Sequence, residues 1–480
     1  MAGQRSGIIP QGGARFGPRH ALRYTAAPSP RPGPMEPVDT LVSARWVVPV
    51  EPDGRVLEDH ALAIRNGRIV AVLPSAEAFV RYTAREVLDR PTHVLMPGLV
   101  NAHTHAAMVL LRGRAENLLL GPWLQDGIWP LERRWVDPEY VRDGTELAIA
   151  EMLRGGVTCF ADMHLWPEVV AQTAAEFHMR ASVGLVVTEA ATSWAATADE
   201  YIDRGMGLRD QYKGDPLINT HFAPHAPYSV SDATLVRVRR LADELDLPVA
   251  LHLHETAWEI AQSEQKFGLR PLARLKALGL ASPQLVAVHM TQVVAEDLDT
   301  LADAGASVVH CPESNLKLGA GVCPLPGLLG RGIRVALGTD GAASNNDLDV
   351  LGEARTAGLV ASGVTGAPGS LIAADLLRMA TLEGARILGL GEVTGSLVPG
   401  KWADLCCIDL HHPGSWPVSD VPAAVIYSGS SRQVTDTWVA GRRLLADRSL
   451  IYLDEAAAMD RADSWRRRID SSAAESGTDG

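Results

Sequence analysis

The sequence predicts an α/β protein: a (β/α)₈ TIM barrel with a small β-sandwich domain formed by both ends of the chain. Three observations support this fold class. Short apolar runs alternate with helical stretches in the middle of the chain, which is typical of βα units and a parallel sheet. The stretch from His103 to Asp340 spans roughly 240 residues, close to the ~250 of such barrels. Short β-rich runs with turn signals occur near both ends.

Eight apolar runs in the middle of the chain are the predicted barrel strands. They are "HVLMPGLVNAHTH", "VTCFADMH", "ASVGLVV", "LINTHFAPHAPY", "PVALHLHET", "LVAVHMT", "ASVVHCPESN" and "IRVALGTDG". Amphipathic stretches lie between them, for example Asp232 to Asp246 and Val294 to Gly305, with apolar residues at three- and four-residue spacing. That spacing predicts helices that pack one face against the sheet.

The two ends of the chain predict a separate sheet. Asp53-Gly54 and Asn66-Gly67 separate short β-rich runs near the start, and similar runs with turns at Pro399-Gly400 and Gly441-Arg442 occur near the end. We therefore predict a composite β-sandwich domain from residues 36–92 and 396–455, and a barrel from 93–395. Residues 456–480 are expected to form a C-terminal helix and a disordered tail. Residues 1–35 contain five arginines and no acidic residue and are expected to be a disordered tail.

Composition excludes several classes of protein. A formal net charge of -13 argues against a nucleic-acid or anionic-membrane partner, and no window has the ~20 apolar residues that cross a bilayer. The five cysteines are an odd number without a C-x-x-C pair, so neither a disulfide framework nor a cysteine metal site is expected. We expect a cytoplasmic protein that acts on a small molecule.

Polar residues end most of the predicted barrel strands, where the active site of a TIM barrel lies. They are His103, His105, Asp162, His164, His225, His252, His254, Glu255, His289, His310, Asn315 and Asp340. His103 and His105 share one face of a strand and could bind one ion, although a polar core would show the same pattern. With His252 and Asp340 they form a set of three nitrogens and one oxygen suited to Zn²⁺.

These motifs resemble the amidohydrolase superfamily, in particular the branch of 5′-methylthioadenosine/S-adenosylhomocysteine deaminases and triazine hydrolases. The resemblance runs from Val38 to about Arg468. It is carried by "PGLVNAHTHAAMVLLRG", "WLQDGIWPLE", "HAPYSVS", "HLHET", "HCPESNLKL", "LGTDGAASNN" and "GSLVPGKWADL". It implies one Zn²⁺ per subunit, with Fe²⁺ or another divalent metal as the alternative. The implied metal ligands are His103, His105, His252 and Asp340.

The resemblance also implies roles for the remaining site residues. The implied catalytic residues are Glu255 as proton shuttle, His289 and Asp340. The implied substrate contacts are Glu132, His225, Glu255, Asp340 and Ser344. His254 shares a strand face with His252, but the three-residue spacing to Glu255 favours His252 as the ligand. The chain is also expected to form a homo-oligomer.

The expected activity is that of a hydrolase acting on carbon–nitrogen bonds of cyclic amidines. The expected reaction converts 5′-methylthioadenosine, S-adenosylhomocysteine or both to the inosine analogue and ammonia. Hydrolysis of another heterocycle, such as a chlorotriazine or guanine, is the alternative. A binuclear site with a bridging lysine is disfavoured because "THFAPHAPYSV" contains no lysine. A non-catalytic scaffold would have lost ligands or Glu255. His164 and "RAENLLLGPWL" depart from the pattern of the branch, which leaves the choice of substrate open.

Overall fold

The computed structural model describes residues 35–476, which form two eight-stranded sheets surrounded by helices. The predicted tail at residues 1–35 lies outside the described residues, apart from Met35. The strands are β1 (Glu36–Val47), β2 (Leu57–Arg65), β3 (Arg68–Pro74), β4 (Tyr82–Pro97), β5 (Leu99–Thr104), β6 (Val157–Asp162), β7 (Arg180–Val187), β8 (Ile218–Pro224), β9 (Val249–Leu253), β10 (Leu285–His289), β11 (Ser307–His310), β12 (Arg334–Leu337), β13 (Leu405–Asp409), β14 (Val434–Val439), β15 (Arg442–Ala446) and β16 (Ser449–Leu450).

The helices lie between and after the strands. They are α1 (Ser75–Arg81), α2 (Leu120–Pro122), α3 (Trp129–Trp135), α4 (Pro138–Arg154), α5 (Pro167–Glu176), α6 (Ala198–Gln211), α7 (Asp232–Leu245), α8 (Ala257–Phe267), α9 (Pro271–Ala277), α10 (Ala295–Ala304), α11 (Pro312–Lys317), α12 (Leu325–Leu329), α13 (Val350–Thr365), α14 (Ala373–Arg378), α15 (Gly384–Ile387), α16 (Val421–Ala423) and α17 (Glu455–Ser476). A π-helical segment, Trp123–Ile128, joins α2 to α3. Within 35–476, no helix is long and apolar enough to cross a membrane.

The terminal sheet combines strands from both ends of the chain, as predicted. Its order is β16-β15-β14-β13-β4-β1-β2-β3, so β4 joins the two ends by pairing with β1 on one side and β13 on the other. Asn66 and Gly67 form the tight turn between β2 and β3, and both have positive φ (52° and 74°). This matches the type I′ turn expected of Asn-Gly. The division of the chain into 36–92 with 396–455, 93–395 and 456–480 stays a prediction.

The second sheet is the predicted barrel of eight parallel strands, in the order β5 to β12. Each of the eight predicted apolar runs coincides with one of these strands, and only β7 begins earlier than its run, by one residue. The side chains of Asn101 and Thr339 join the first strand to the segment after the last one. Thr339 N donates to Asn101 Oδ1 (3.0 Å), and Asn101 Nδ2 donates to Thr339 Oγ1 (2.7 Å). Asp340 N donates to His103 O (3.0 Å) at the same seam.

The helices between the barrel strands follow the apolar spacing of the sequence. Helix α7 follows Ser231, whose hydroxyl accepts from Thr234 N, and buries Leu235, Val238 and Ala242 at three- and four-residue intervals. Helix α10 ends before Gly305, which has a φ of 66° and can take this left-handed conformation without a Cβ clash. The amphipathic pattern therefore covers the outside of the barrel with one apolar face per helix.

A buried ion pair joins the barrel to the terminal sheet. Arg180 begins β7, and Asp404 directly precedes β13. Arg180 Nε and Nη2 donate to the two carboxylate oxygens of Asp404 at 2.7 and 3.2 Å, and at most 1% of either side chain is exposed. Thr394 Oγ1 also donates to Asp404 (2.7 Å). Because a buried charge without a partner is costly, this pair fixes how the two sheets meet.

Replacing Asp404 with alanine should lower the free energy of unfolding by about 3–5 kcal/mol, because Arg180 would stay buried without its carboxylate. Urea unfolding followed by tryptophan fluorescence measures this loss. The control is Asp463→Ala, which removes an exposed carboxylate paired with Arg466 and Arg467. That change should leave the unfolding midpoint nearly unchanged. Equal shifts in the two variants would contradict a special role for the buried pair.

Candidate active site

Four side chains from three strand ends converge at one end of the barrel. His103 lies in β5, His105 directly follows this strand, His252 lies in β9, and Asp340 follows β12. One ligand atom from each lies within 4.8 Å of those of the other three. The Nε2 atoms of His103 and His252 are 3.2 Å apart, and His105 Nε2 lies 3.2 Å from Asp340 Oδ1. This is the only group of this kind among residues 35–476.

Backbone carbonyls orient two of the histidine rings. His252 Nδ1 lies 2.8 Å from the carbonyl oxygen of His225, and His105 Nδ1 contacts the carbonyl oxygen of Met163. Each contact requires a proton on Nδ1, so the Nε2 lone pair of the same ring faces the centre of the cluster. Three imidazole nitrogens and one carboxylate oxygen are a donor set that Zn²⁺ takes in catalytic sites.

The electrostatics of the cluster fit a bound cation. Burial lowers the pKa of His103 to about 4 and that of His252 well below its usual value, so both rings are neutral and available as ligands. Burial also opposes the charged form of His105, but the hydrogen bond and the charge of Asp340 outweigh it and raise the pKa of His105 to about 9. The buried Asp340 carboxylate therefore needs a neighbouring positive charge, and a divalent cation would supply it.

Two serine hydroxyls hold the other oxygen of Asp340. Ser314 Oγ donates to Asp340 Oδ2 at 2.7 Å, and Ser344 Oγ donates to the same atom at 2.8 Å. Both serines are fully buried. The sequence suggested Ser344 as a substrate contact, whereas its hydroxyl contacts Asp340 and does not line the cavity next to the cluster. Ser314 was not singled out, although it lies within the "HCPESN" motif.

The backbone is left-handed at two of the site residues. Asp340 has a φ of 60°, and His289 at the end of β10 has a φ of 82°. For residues other than glycine this conformation costs about 1–2 kcal/mol each, and such strain concentrates at functional sites. The Asp340 conformation is held by the seam hydrogen bond from its N–H to the His103 carbonyl and by Thr104 Oγ1, which donates to the Asp340 carbonyl (3.0 Å).

Glu255 and His289 lie beside the cluster. Glu255 Oε1 is 3.6 Å from His289 Nε2, and both side chains are buried. Burial raises the pKa of Glu255 to about 8, and the charge of Asp340 acts in the same direction. His289 Nδ1 lies 2.8 Å from Asn315 Oδ1, so this nitrogen carries the proton and Nε2 faces Glu255. A protonated carboxyl group can therefore be held next to the cluster at neutral pH.

A cavity of about 770 Å³ opens from this cluster to the surface, a size that suits a small-molecule ligand. Three of the four expected substrate contacts outside the cluster, Glu132, His225 and Glu255, line it. The other lining residues include Met108, Leu120, Trp123, Leu124, Trp129, Met163, His164, Val186, Tyr228 and Trp258. The wall therefore mixes apolar and aromatic side chains with polar ones, and the polar groups can orient a ligand and determine specificity.

His254 points away from the cluster, in agreement with the choice of His252 as the ligand. It is fully buried, and its Nε2 accepts from the backbone N–H of Leu272 at 3.0 Å. Its other ring nitrogen lies 3.5 Å from Asp297. His254 therefore belongs to the packing between the loop after β9 and helices α9 and α10.

We predict that removing both serine hydroxyls, in the double variant Ser314→Ala and Ser344→Ala, weakens metal binding about 10- to 100-fold. Partners that orient a ligand commonly contribute this much. Competition with a chromogenic chelator measures the metal affinity. The matched control is Ser415→Ala, which removes a buried hydroxyl that donates to Leu410 O in the loop after β13, outside the cluster. Unchanged affinity in the double variant would show that the serines do not position Asp340 for the metal.

Comparison with known proteins agrees with this geometry. The chain matches the amidohydrolase family over residues 94–444. It is 45% identical to a 5-methylthioadenosine/S-adenosylhomocysteine deaminase of Teredinibacter turnerae, with 90% of this chain and 98% of the relative covered. An adenosine deaminase from Xanthomonas campestris, solved with bound zinc, is 52% identical with a TM-score of 0.90, and 91% of this chain and 100% of that chain are covered. A triazine hydrolase from Arthrobacter aurescens, at 24% identity and a TM-score of 0.82, covers 89% and 99% of the two chains and shares the fold. The chain belongs to the amidohydrolase family.

Proposed function

We propose that this enzyme is a Zn²⁺-dependent deaminase of adenine nucleosides. It would convert 5′-methylthioadenosine, S-adenosylhomocysteine or both to the inosine analogue and ammonia. Two relatives with 45% identity are named 5-methylthioadenosine/S-adenosylhomocysteine deaminase, and the 52% identical structure is an adenosine deaminase with bound zinc. The sequence leaves guanine and chlorotriazines open as alternative substrates. No feature of the cavity favours either of them over an adenine nucleoside.

One observation carries the proposal: a protonatable, buried Glu255 lies beside a set of three histidines and one aspartate, at the base of a nucleoside-sized cavity. Deamination of an adenine ring needs a proton delivered to the ring and a water molecule activated nearby. The strand end that would carry a bridging lysine in a binuclear enzyme has His225 and no lysine within "HFAPHAPYSV". A single metal ion is therefore sufficient for the site.

The residues divide the chemistry between them. When bound, Zn²⁺ supplies a Lewis acid that lowers the pKa of a water molecule to about 7. Asp340, held by Ser314 and Ser344, accepts the proton of the attacking water. Glu255 is neutral at pH 7 because burial raises its pKa to about 8, so it can protonate a ring nitrogen and make the neighbouring carbon electrophilic. His289, whose Nε2 lies 3.6 Å from Glu255 Oε1, also lines the cavity and is proposed to contact the reacting carbon's new hydroxyl group.

The last step releases ammonia from the tetrahedral adduct of the ring. The amino group leaves as a neutral molecule only if it gains a proton, and Glu255 is placed to deliver it after regaining the proton from Asp340. Both carboxyl groups line the cavity, so a substrate that fills it displaces water from them and leaves the substrate and the reacting water as their proton partners. As the carbon–nitrogen bond breaks, the hydroxyl of the adduct becomes the carbonyl of the product, and its proton returns to Glu255. The balance is one water consumed and one ammonia released.

The test is to incubate the zinc-loaded protein with 5′-methylthioadenosine, S-adenosylhomocysteine, adenosine, guanine, cytosine and chlorotriazines. We expect ammonia from the adenine nucleosides, no chloride, and loss of activity after chelation that Zn²⁺ restores. Ammonia and chloride release are the measurements. A protein with stoichiometric zinc that releases no ammonia from any adenine nucleoside would contradict the proposal.

The variant Glu255→Gln should keep its zinc and lose about 10²- to 10⁴-fold in kcat, because the amide has the same shape but transfers no proton. Zinc content by atomic absorption and ammonia release are measured on the same sample. The comparison is His252→Ala, for which we expect loss of both zinc and turnover. A Glu255→Gln enzyme with the rate of the wild type would remove Glu255 from the mechanism.

The variant Glu132→Ala should raise KM for adenine ribosides more than KM for free adenine, because the carboxylate is proposed to accept hydrogen bonds from ribose hydroxyls. Steady-state kinetics with adenosine and adenine provide the two values. An equal increase for both compounds would be evidence against a ribose contact.

We propose further that the enzyme works in the cytoplasm, since its five cysteines are all buried and unpaired. The expected homo-oligomer, and the absence of nucleic-acid and membrane partners, stay predictions. Sedimentation of the purified chain would determine the number of subunits.

A further inference from the structure

His164 is a buried cavity residue without a hydrogen-bond partner for its Nε2 atom. It follows β6, only 4% of the residue is exposed, and it lines the cavity. No described residue forms a hydrogen bond with Nε2. The carboxylate oxygen Glu132 Oε1 lies 3.5 Å from this Nε2 atom, at the outer limit of a hydrogen bond. A buried polar nitrogen without a partner favours binding one, and because His164 lines the cavity, a ligand in the cavity can supply that partner.

The two side chains come from rigid and separate elements. Glu132 lies in the first turn of α3, whereas His164 lies between β6 and α5. The backbone before His164 is anchored at Asp162, whose Oδ1 accepts from the N–H of Ala106 at 2.7 Å. The Nδ1 atom of His164 faces the carbonyl oxygen of Leu165 at 3.4 Å. A proton on Nδ1 would leave Nε2 as an acceptor, and a proton on Nε2 would make it a donor.

The pair has the chemistry to bind two adjacent hydroxyl groups. A carboxylate only accepts hydrogen bonds, whereas an imidazole Nε2 either donates or accepts. A hydroxyl both donates and accepts, so one hydroxyl can donate to Glu132 while its neighbour contacts His164. The wall around the pair includes apolar side chains such as Leu165 and Trp129, and its other imidazole, His225, already pairs its Nδ1 with Ser229 Oγ at 2.9 Å.

We infer that His164 is a substrate-binding residue, and that with Glu132 it forms a clamp for the vicinal 2′,3′-diol of the nucleoside ribose. This inference rests on the proposed function for the identity of the diol. The sequence departs from the branch that it resembles at His164. We therefore assign to this residue the selection of ribosides over deoxyribosides. Neither residue belongs to the four-ligand cluster, so the clamp acts on binding and orientation.

The closing experiment compares adenosine with 2′-deoxyadenosine and 3′-deoxyadenosine in three proteins: wild type, His164→Ala and His164→Gln. In His164→Ala we expect kcat/KM for adenosine to fall about tenfold or more, as for loss of one substrate hydrogen bond. For the deoxynucleoside that lacks the hydroxyl bound by His164, kcat/KM should fall less than about threefold in the same variant. His164→Gln should recover part of the loss, because its amide can reach the same hydroxyl.

Double-variant analysis tests whether the two residues bind one diol. The losses of His164→Ala and Glu132→Ala on adenosine should not add, because each hydroxyl helps to position the other. The matched control is His412→Ala, which replaces an exposed histidine on the loop after β13. It should leave the ratio of kcat/KM for adenosine to that for each deoxynucleoside unchanged. Equal losses on adenosine and on both deoxynucleosides, with unchanged zinc content and thermal midpoint, would overturn the clamp.

Failure of the clamp and failure of the proposed function give different results. If the zinc-loaded wild type releases no ammonia from adenosine, the proposed function fails. Calorimetry with adenosine and 2′,3′-dideoxyadenosine then decides the clamp on the same protein. Binding of adenosine at least about tenfold tighter, with the difference lost in His164→Ala, supports it. Equal binding of the two compounds, or no binding of either, overturns it.

Discussion

The hydrogen bonds that close the barrel between β5 and the segment after β12 are the constraint on which the active site depends. Asn101 and Thr339 exchange two side-chain hydrogen bonds there, and Asp340 N donates to the His103 carbonyl. The approach is so close that a Cβ at Gly338 would lie 2.8 Å from the backbone nitrogen of His103. Residues from opposite ends of the barrel sequence thus become neighbours. Without this seam, His103 and His105 would have no fixed distance to Asp340.

The seam also explains how a strained and highly charged cluster can persist. Asp340 is buried and has a left-handed backbone, which are both unfavourable, and the two serine hydroxyls that it accepts offset part of the cost of burying its charge. Its backbone N–H and carbonyl are both bonded across the seam, so the conformation is fixed by groups that are themselves buried. The ligand geometry therefore comes from the packed barrel and is ready before a metal binds. A preorganised site of this kind loses little conformational freedom on binding.

The parts of this structure that could be predicted leave a local trace in the sequence. The eight strands are visible as apolar runs, and His103 and His105 lie two residues apart because strand residues alternate faces. Both His252 and His254 could have been the third histidine ligand by strand periodicity. Only the resemblance to the amidohydrolase family indicated His252. The ion pair of Arg180 with Asp404 joins residues 224 positions apart, and nothing in either neighbourhood indicates the partner. The serines on Asp340 were unpredictable for the same reason, since any polar residue in the last two loops could have reached it.

The two halves of the cavity wall differ in what holds them. The four predicted metal ligands lie at the ends of barrel strands. The hydrogen bonds between neighbouring strands therefore fix their positions. Glu132, by contrast, lies on a helix entered through the π-helical segment Trp123–Ile128, and the loop before it is tied down by surface contacts such as Lys317 to Glu116 (2.9 Å). Replacing a residue on this wall disturbs few backbone hydrogen bonds. Substrate preference can therefore change at Glu132 in α3 and at His164 in the segment between β6 and α5 while the metal ligands stay in place, because segments outside the closed sheet tolerate substitution better than its strands do.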